Sequence, residues 1–445
     1  MSEVCCYADE RFYLKAQILM SFTIYRGGFM DLKTINGGVC APVGFTAAGV
    51  HAGLSKRPEK NDLGLIFCRE KCSAAAVYTK NKVKGSPLIV TGKHISDGII
   101  QAVVCNSANA NTCCSDGEEK AEKMCMTAAE NLGISAEDIA VASTGVIGRS
   151  LDLEPVVNAF PKLVSALSEN GSESCARAIM TTDTTVKETA AEFDIGGKIC
   201  RIGGIAKGSG MIHPNMATVL CFITTDCDIS PEMLKAALAE NARVTFNRVS
   251  VDGDTSTNDM ALIMADGLAG NRRITENNAD FEIFSNALFE VMRYLTRKIA
   301  ADGDGETRMI ECVCSGADSE ETAEKIAKSV ISSNLVKAMV GGGDPNWGRI
   351  SCAAGYSGAD FDPAKMNIDF ASAKEGRISV CRNGFGVDFS EDKARKILLD
   401  KEVYIYIDIN CGNFEAAAWG CTLTENYVRI NGDYRGIKAR EIAGR

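Results

Sequence analysis

From Lys207 to Thr225 the chain reads Lys-Gly-Ser-Gly-Met-Ile-His-Pro-Asn-Met-Ala-Thr-Val-Leu-Cys-Phe-Ile-Thr-Thr. Two glycines and a proline make the first half of this stretch a poor helix and a poor central strand. The second half is an apolar run with β-branched residues and demands burial as a strand. Thr218 stands at the junction. If the peptide bond before it is cut, Thr218 gains a free α-amino group beside its own Oγ, which puts a nucleophile and a base on one residue. Pro214 and the glycines fix an unusual local backbone that can hold a strained scissile peptide. Ala217 is small and leaves that bond accessible, and Lys207 and His213 place polar groups just ahead of it. The plain alternative is a threonine at which a loop enters a strand. The residues of this segment alone leave both readings open.

With 445 residues the chain can build two or three core-forming units. Its net charge is −10 and no long basic block occurs, so nucleic acid and anionic membrane are poor partners. The 19 cysteines include adjacent pairs, Cys5-Cys6 and Cys113-Cys114, and follow no disulfide framework. That usage points to a reducing cytoplasm with cysteine as a small apolar residue. Cys68 and Cys72 lack a second pair at zinc spacing, and the three histidines are His51, His94 and His213, so no metal site is expected. No cofactor is expected either. Lys207-Gly-Ser-Gly210 puts its lysine before the glycines and lacks the phosphate-loop order. The segment from Asp252 to Asn258 lacks the twelve-residue calcium loop with its terminal glutamate. No apolar run approaches the roughly 20 residues of a membrane helix. Residues 1–29 carry acids at Glu3, Asp9 and Glu10 rather than a basic leader, and read as a non-core extension with translation expected to start at Met30.

Downstream, strands and helices alternate. Strands are expected over 62–68, 73–78, 100–105, 139–143, 309–314 and 403–409. Helices are expected over about 117–132, 154–169, 230–243, 280–301, 319–339 and 390–399. Ser230-Pro-Glu supplies a hydroxyl cap, a first-turn proline and an acid. No linker divides the chain, and the expected class is layered α/β with mixed sheets.

Further segments invite chemistry. Ser143-Thr144-Gly145 ends a strand, where a hydroxyl and backbone N–H groups can face an oxyanion, although such a triplet is more often a simple turn. Met180-Thr-Thr-Asp-Thr184 gathers hydroxyls beside an acid, and reads equally as a hydrated turn or cap. Gly343 to Arg349 contains Trp347, one of two tryptophans, as a site wall or a packed turn.

Together these motifs resemble the glutamate N-acetyltransferase (ornithine acetyltransferase) family of arginine biosynthesis. The matching pieces are Gly37-Gly-Val-Cys-Ala-Pro42, Cys105-Asn-Ser-Ala-Asn-Ala-Asn111, Ser143-Thr-Gly-Val-Ile-Gly148, Met180-Thr-Thr-Asp-Thr184, the run from Lys207 to Thr218, Ser250-Val-Asp-Gly-Asp-Thr-Ser-Thr-Asn-Asp259, Asp344-Pro-Asn-Trp-Gly-Arg349 and Ala418-Trp-Gly-Cys421. They occur in order and cover about 35–434.

The resemblance implies a two-domain α/β fold of the kind shared with certain aminopeptidases, and cleavage between Ala217 and Thr218. An α chain of residues 30–217 and a β chain of 218–445 would follow, assembled as two of each. Thr218 would be cleavage residue and acetyl carrier, and Thr144 and Gly145 the oxyanion hole. Thr181, Lys207, Thr218, Asp304, Asn431 and Gly436 would contact substrate. Acetyl would pass from N-acetylornithine to glutamate, with acetyl-CoA left open as a second donor. Departures from the family pattern are Asp304, where glutamate is usual, and Gly436, where threonine or serine is usual. The tail beyond Gly436 and the segment before Met30 are extra. A Thr-type amidase, and an inactive protein that binds ornithine or glutamate, are the alternatives to a transferase.

Overall fold

Short apolar runs bounded by glycine and polar turns become the strands of two mixed sheets in the computed structural model, which describes residues 32–213, 219–305 and 308–434. The larger sheet uses β1 (Lys33–Ile35), β2 (Phe45–Val50), β3 (Leu63–Tyr78), β4 (Ile99–Asn106), β5 (Ile139–Ser143), β6 (Lys187–Ile195), β7 (Lys198–Lys207) and β8 (Leu220–Thr225). After β9 (Val249–Ser250), a strand of the second sheet, β10 (Met260–Ala265) completes it. The order is β1-β6-β7-β8-β10-β3-β4-β5, with β2 on β3. The β8/β10 and β4/β5 pairs are parallel, and the others antiparallel.

The helices of this unit are α1 (Ser86–His94), α2 (Gly117–Leu132), α3 (Glu154–Ser165), α4 (Ser172–Ile179), α5 (Pro231–Val244) and α6 (Ala279–Ala301), the last two residues of α6 falling in the other unit. They explain why the central strands are apolar at consecutive positions. Along β5, Ile139 and Val141 belong to the core built on α2 and α3, whereas Ala140 and Ala142 belong to the core containing Cys175, Ala176 and Ile179 of α4.

The second sheet continues with β11 (Met309–Ala317), β12 (Asn367–Ser372), β13 (Gly376–Arg382), β14 (Phe385–Gly386), β15 (Glu402–Asp408) and β16 (Phe414–Cys421), in the order β14-β13-β12-β15-β11-β16-β9. Its helices are α7 (Glu320–Ser332), α8 (Asn334–Gly342), α9 (Gly348–Gly355), α10 (Glu391–Leu398) and α11 (Glu425–Asn431). Ile310, Val330, Val340, Ile397 and Ile405 lie in one fully buried core.

Among the described residues the packing units are 32–247 with Asp254–Ile299, and Arg248–Gly253 with 300–434. This boundary differs from the chain break expected at Ala217–Thr218, because β7 before that point and β8 after it pair directly, Lys207 opposite Leu220. The expectations on residues 1–29, Ala217, Thr218 and the tail from Gly436 lie outside the described residues. Among the described residues no helix is long and apolar enough to cross a membrane.

Three local expectations change. The strands expected over 62–68 and 73–78 are one strand, β3, whose exposed Arg69-Glu70-Lys71 stretch lies where its ladder with β4 shifts register. The Gln101 side chain donates to Arg69 O at 2.9 Å there. The helix expected over 319–339 is two, because Ser333 turns extended (φ −69°, ψ 118°) and its Oγ accepts from Val336 N–H, capping α8. The helix expected over 154–169 stops at Ser165, and α4 follows separately.

Lys337 of α8 is buried, and its ammonium donates to the carbonyls of Ser250 (3.4 Å), Val251 (3.0 Å) and Cys421 (2.9 Å). All three donors are thereby used to tie β9 and its exit to the end of β16. Burial pulls its pKa below the usual lysine value, with Cys421 and Asp252 acting in the opposite sense. Replacing Lys337 by Met keeps the stem and removes three buried hydrogen bonds, so we expect a loss of about 2–4 kcal/mol. Urea unfolding reads it as a lowered midpoint at unchanged slope, and a midpoint equal to wild type would contradict it.

Candidate active site

Thr144, Gly145, Thr181 and Lys207 all belong to the larger unit. Lys207 closes β7, and the parallel partner β10 begins beside the start of β8, with Met260 N–H donating to Val219 O at 3.0 Å. Val219, covalently next to Thr218, is buried.

At the end of β5, Thr144 N–H donates to Asn106 O at 3.0 Å. The backbone donor expected there for an oxyanion is therefore engaged, and the group Thr144 can offer is its hydroxyl, which has no partner among the described residues. Gly145 has φ +134°, and a Cβ at that position would collide with the Ala108–Asn109 peptide. Glycine is required there on both counts. Its N–H also has no acceptor among the described residues. The end of β5 thus carries, side by side in sequence, one hydroxyl and one N–H of the kind that an oxyanion requires.

The opposing wall is the asparagine-rich turn. Ala108, Asn111 and Cys113 all have positive φ (73°, 48° and 58°), a conformation that persists only where surroundings over-determine it. Side-chain amides supply that constraint. Asn106 donates to Ser107 O (3.1 Å) and Asn109 O (2.9 Å), Asn109 to Arg149 O (2.9 Å), and Asn111 to Gly117 O (2.8 Å).

Thr181 and Lys207 are joined through Asp183, an acid that sequence reading noticed only as part of a hydroxyl-rich turn. Asp183 Oδ2 accepts from Thr181 N–H at 2.9 Å, and Oδ1 accepts from Gly208 N–H at 2.7 Å and from Lys187 Nζ at 2.7 Å. The Asp183–Lys187 pair is fully buried. Burial pushes the Asp183 carboxyl up, but the charges of Lys187 and Lys207 and these hydrogen bonds hold it well below the usual carboxylate range. Lys60 donates to Thr181 O at 3.3 Å, and burial lowers its pKa against the pull of Asp183. Lys187 and Lys60 were missed; the four-residue spacing from Asp183 to Lys187 was the available signal, and Lys60 had none.

In the smaller unit Asn431 Nδ2 donates to Asp304 Oδ2 at 2.9 Å, so two further expected substrate contacts are partners. Asp304 is buried, and Gly305 beside it has φ +101° with its carbonyl accepting from Thr424 Oγ, the cap of α11.

Asp259 completes the larger unit's polar set. It is buried, and its Oδ2 has no hydrogen-bond partner among the described residues. Burial drives its pKa up to about 8, while the charge of Lys207 and hydrogen bonds from Ser256 pull it down only in part. An unfolded aspartate titrates near 3.9. The folded protein therefore keeps a proton that the unfolded chain loses. The stability so gained is complete below about pH 4 and is lost as pH rises through about 8. Asp259→Asn does not titrate, so its melting temperature should gain on wild type between pH 5 and pH 8.5. A difference constant across that range, followed by calorimetry, would show that Asp259 is ionised in the fold.

The family model described as the ArgJ family matches residues 46–436. The arginine biosynthesis bifunctional protein ArgJ 1 of Clostridium acetobutylicum is 47% identical over 392 residues, covering 88% of this chain and 96% of that protein. The arginine biosynthesis bifunctional protein ArgJ of Symbiobacterium thermophilum is 47% identical over 406 residues, covering 91% and 100%. A solved ornithine acetyltransferase from Mycobacterium tuberculosis, complexed with ornithine, is 32% identical with a TM-score of 0.39, covering 42% of this chain and 100% of that one. The chain belongs to the ArgJ family.

Proposed function

We propose that this protein is a self-cleaving glutamate N-acetyltransferase that moves acetyl from N2-acetyl-L-ornithine to L-glutamate in arginine biosynthesis. The observation that carries this reading is membership of the ArgJ family across residues 46–436, a span that includes Ala217-Thr218 and all the expected site residues. The paired donors of Thr144 and Gly145 support it.

Thr218 Oγ adds to the carbonyl carbon of Ala217. The C–N bond breaks, the Thr218 nitrogen takes the proton released by Oγ, and an ester links the two residues. This shift leaves the Thr218 α-amine free, and water then cleaves the ester, releasing the Ala217 carboxyl and restoring the Thr218 hydroxyl. An α-amine titrates ordinarily near 7.7–8.0, so it accepts the Oγ proton close to neutral pH. Oγ then adds to the acetyl carbon of acetylornithine, and the oxyanion is met by the Thr144 hydroxyl and the Gly145 N–H. The C–N bond breaks, ornithine leaves with the proton from the α-ammonium, and acetyl remains as an ester on Thr218. The glutamate amine attacks this ester and departs as N-acetylglutamate, restoring the enzyme. The two substrates meet the enzyme in turn, which is ping-pong kinetics.

In this reading Lys207 pairs with a substrate carboxylate and Asp304 with the ornithine ammonium. Asn431 orients Asp304, while Thr181 and Gly436 complete the contacts. Asp304 keeps the charge of the usual glutamate with a reach shorter by one methylene. Acetyl-CoA enters by the same attack, with the thiol as leaving group. The working form is two α and two β chains in the cytoplasm, with no cofactor.

Thr218→Ala should persist as one chain of 47.5 kDa and form no N-acetylglutamate, whereas wild type separates into two fragments and carries an acetyl group on Thr218 when given acetylornithine alone. Two fragments from the variant would eliminate Thr218 as nucleophile. Supplying wild type with acetylornithine with and without glutamate, and with glutamate plus acetyl-CoA, identifies acceptor and donors. Stoichiometric acetate unaffected by glutamate would make the protein an amidase instead.

A further inference from the structure

The side chain of Asn258 is buried between three separate parts of the larger unit. It lies just before β10, on the segment from Asp252 to Asp259 that the reaction scheme leaves without a role. Its Nδ2 donates to Ala110 O at 2.6 Å and to Ser143 O at 3.0 Å. Its Oδ1 accepts from Thr112 Oγ and from Thr257 Oγ, both at 2.6 Å. An asparagine amide has two donor hydrogens and two acceptor positions, and all four are used. No slack surrounds it, because a Cβ added at Gly85 would lie 2.6 Å from its Nδ2.

The two carbonyls it holds are informative. Ser143 immediately precedes Thr144 and Gly145. Ala110 lies in the strained turn whose Ala108–Asn109 peptide presses against Gly145. One buried amide thus fixes the distance between the strand end that bears the donor pair and the wall that sets the orientation of Gly145. Hydrogen-bond donors aimed at an oxyanion act through geometry fixed in advance, and a small loosening is costly.

We propose that Asn258 is a positioning residue for acyl transfer, holding the Thr144 hydroxyl and Gly145 N–H in register by clamping Ser143 O and Ala110 O. This rests on the reading of Thr144 and Gly145 as the oxyanion donors.

The test measures acetyl transfer from acetylornithine to glutamate, with rates taken per mole of cleaved chain. Asn258→Asp substitutes an oxygen for one side of the amide, so the carboxylate cannot both accept from the two threonines and donate to the two carbonyls. Its kcat should fall by roughly 10- to 100-fold, somewhat less than loss of an oxyanion donor itself, while KM stays within about threefold of wild type. Thr144→Ala is measured alongside, and combined with Asn258→Asp. If the clamp works through the donor pair, the double variant loses less than the product of the single losses. Multiplicative losses, or kcat and KM shifting together with a collapsed melting temperature, would assign Asn258 a purely structural role and overturn the proposal. So would an unchanged kcat in Asn258→Asp. Should Asn258→Asp fail to fold, Thr112→Val, which removes one anchor of Oδ1, must lower kcat at constant KM, and wild-type kcat in that variant overturns the proposal. Full activity in Thr144→Ala would instead reject the oxyanion reading beneath it.

Discussion

Strand β8 is hydrogen-bonded along both edges, antiparallel to β7 and parallel to β10, and the geometry of the larger unit depends on that double pairing. A strand so held keeps its place when the chain just ahead of it is cut, because its position comes from its neighbours and not from its covalent predecessor. The same pairing sets Lys207 opposite Leu220 and the start of β10 beside Val219. It therefore draws the residues before and after the proposed cleavage point, and the segment carrying Asn258 and Asp259, to one end of the sheet.

At that end the protein balances buried charge locally. Asp183 stays ionised against its own burial because Lys187, Lys207 and two backbone N–H groups answer it. Asp259 has weaker compensation and is driven up to about 8. Two aspartates in one unit thus have opposite protonation preferences at neutral pH, and the difference lies in the count of donors and cations that each one meets.

Several elements were legible from local chemistry. Ser230 and Ser390 cap helices where hydroxyl-then-acid patterns place them, and β4 and β5 coincide with apolar runs between turns. The β6–β7 hairpin escaped notice although Gly196-Gly197, with φ 60° and 81°, is the turn such a pairing favours. Its strands mix Glu, Thr, Lys and glycine, and they become strands because both partners are present, not through their own propensity. The single length of β3 was hidden for a related reason. Three charged residues interrupt its apolar pattern, yet extended backbone continues through them by pairing on both flanks.

The sequence by itself determined the chemical inventory: a threonine at a loop-to-strand junction, a Thr-Gly pair after a strand, a lysine before the glycines, and the order of motifs that marks the family. Only the tertiary structure decided what those groups are free to do. It spends the Thr144 N–H on Asn106 and leaves the hydroxyl, crowds Gly145 against the Ala108–Asn109 peptide, and answers the Asp183 charge with lysines while burial pushes the Asp259 carboxyl up. The physical reason is that hydrogen-bond satisfaction and desolvation belong to neighbourhoods. For these residues, many of the decisive neighbours are brought in by strand pairing from distant parts of the chain.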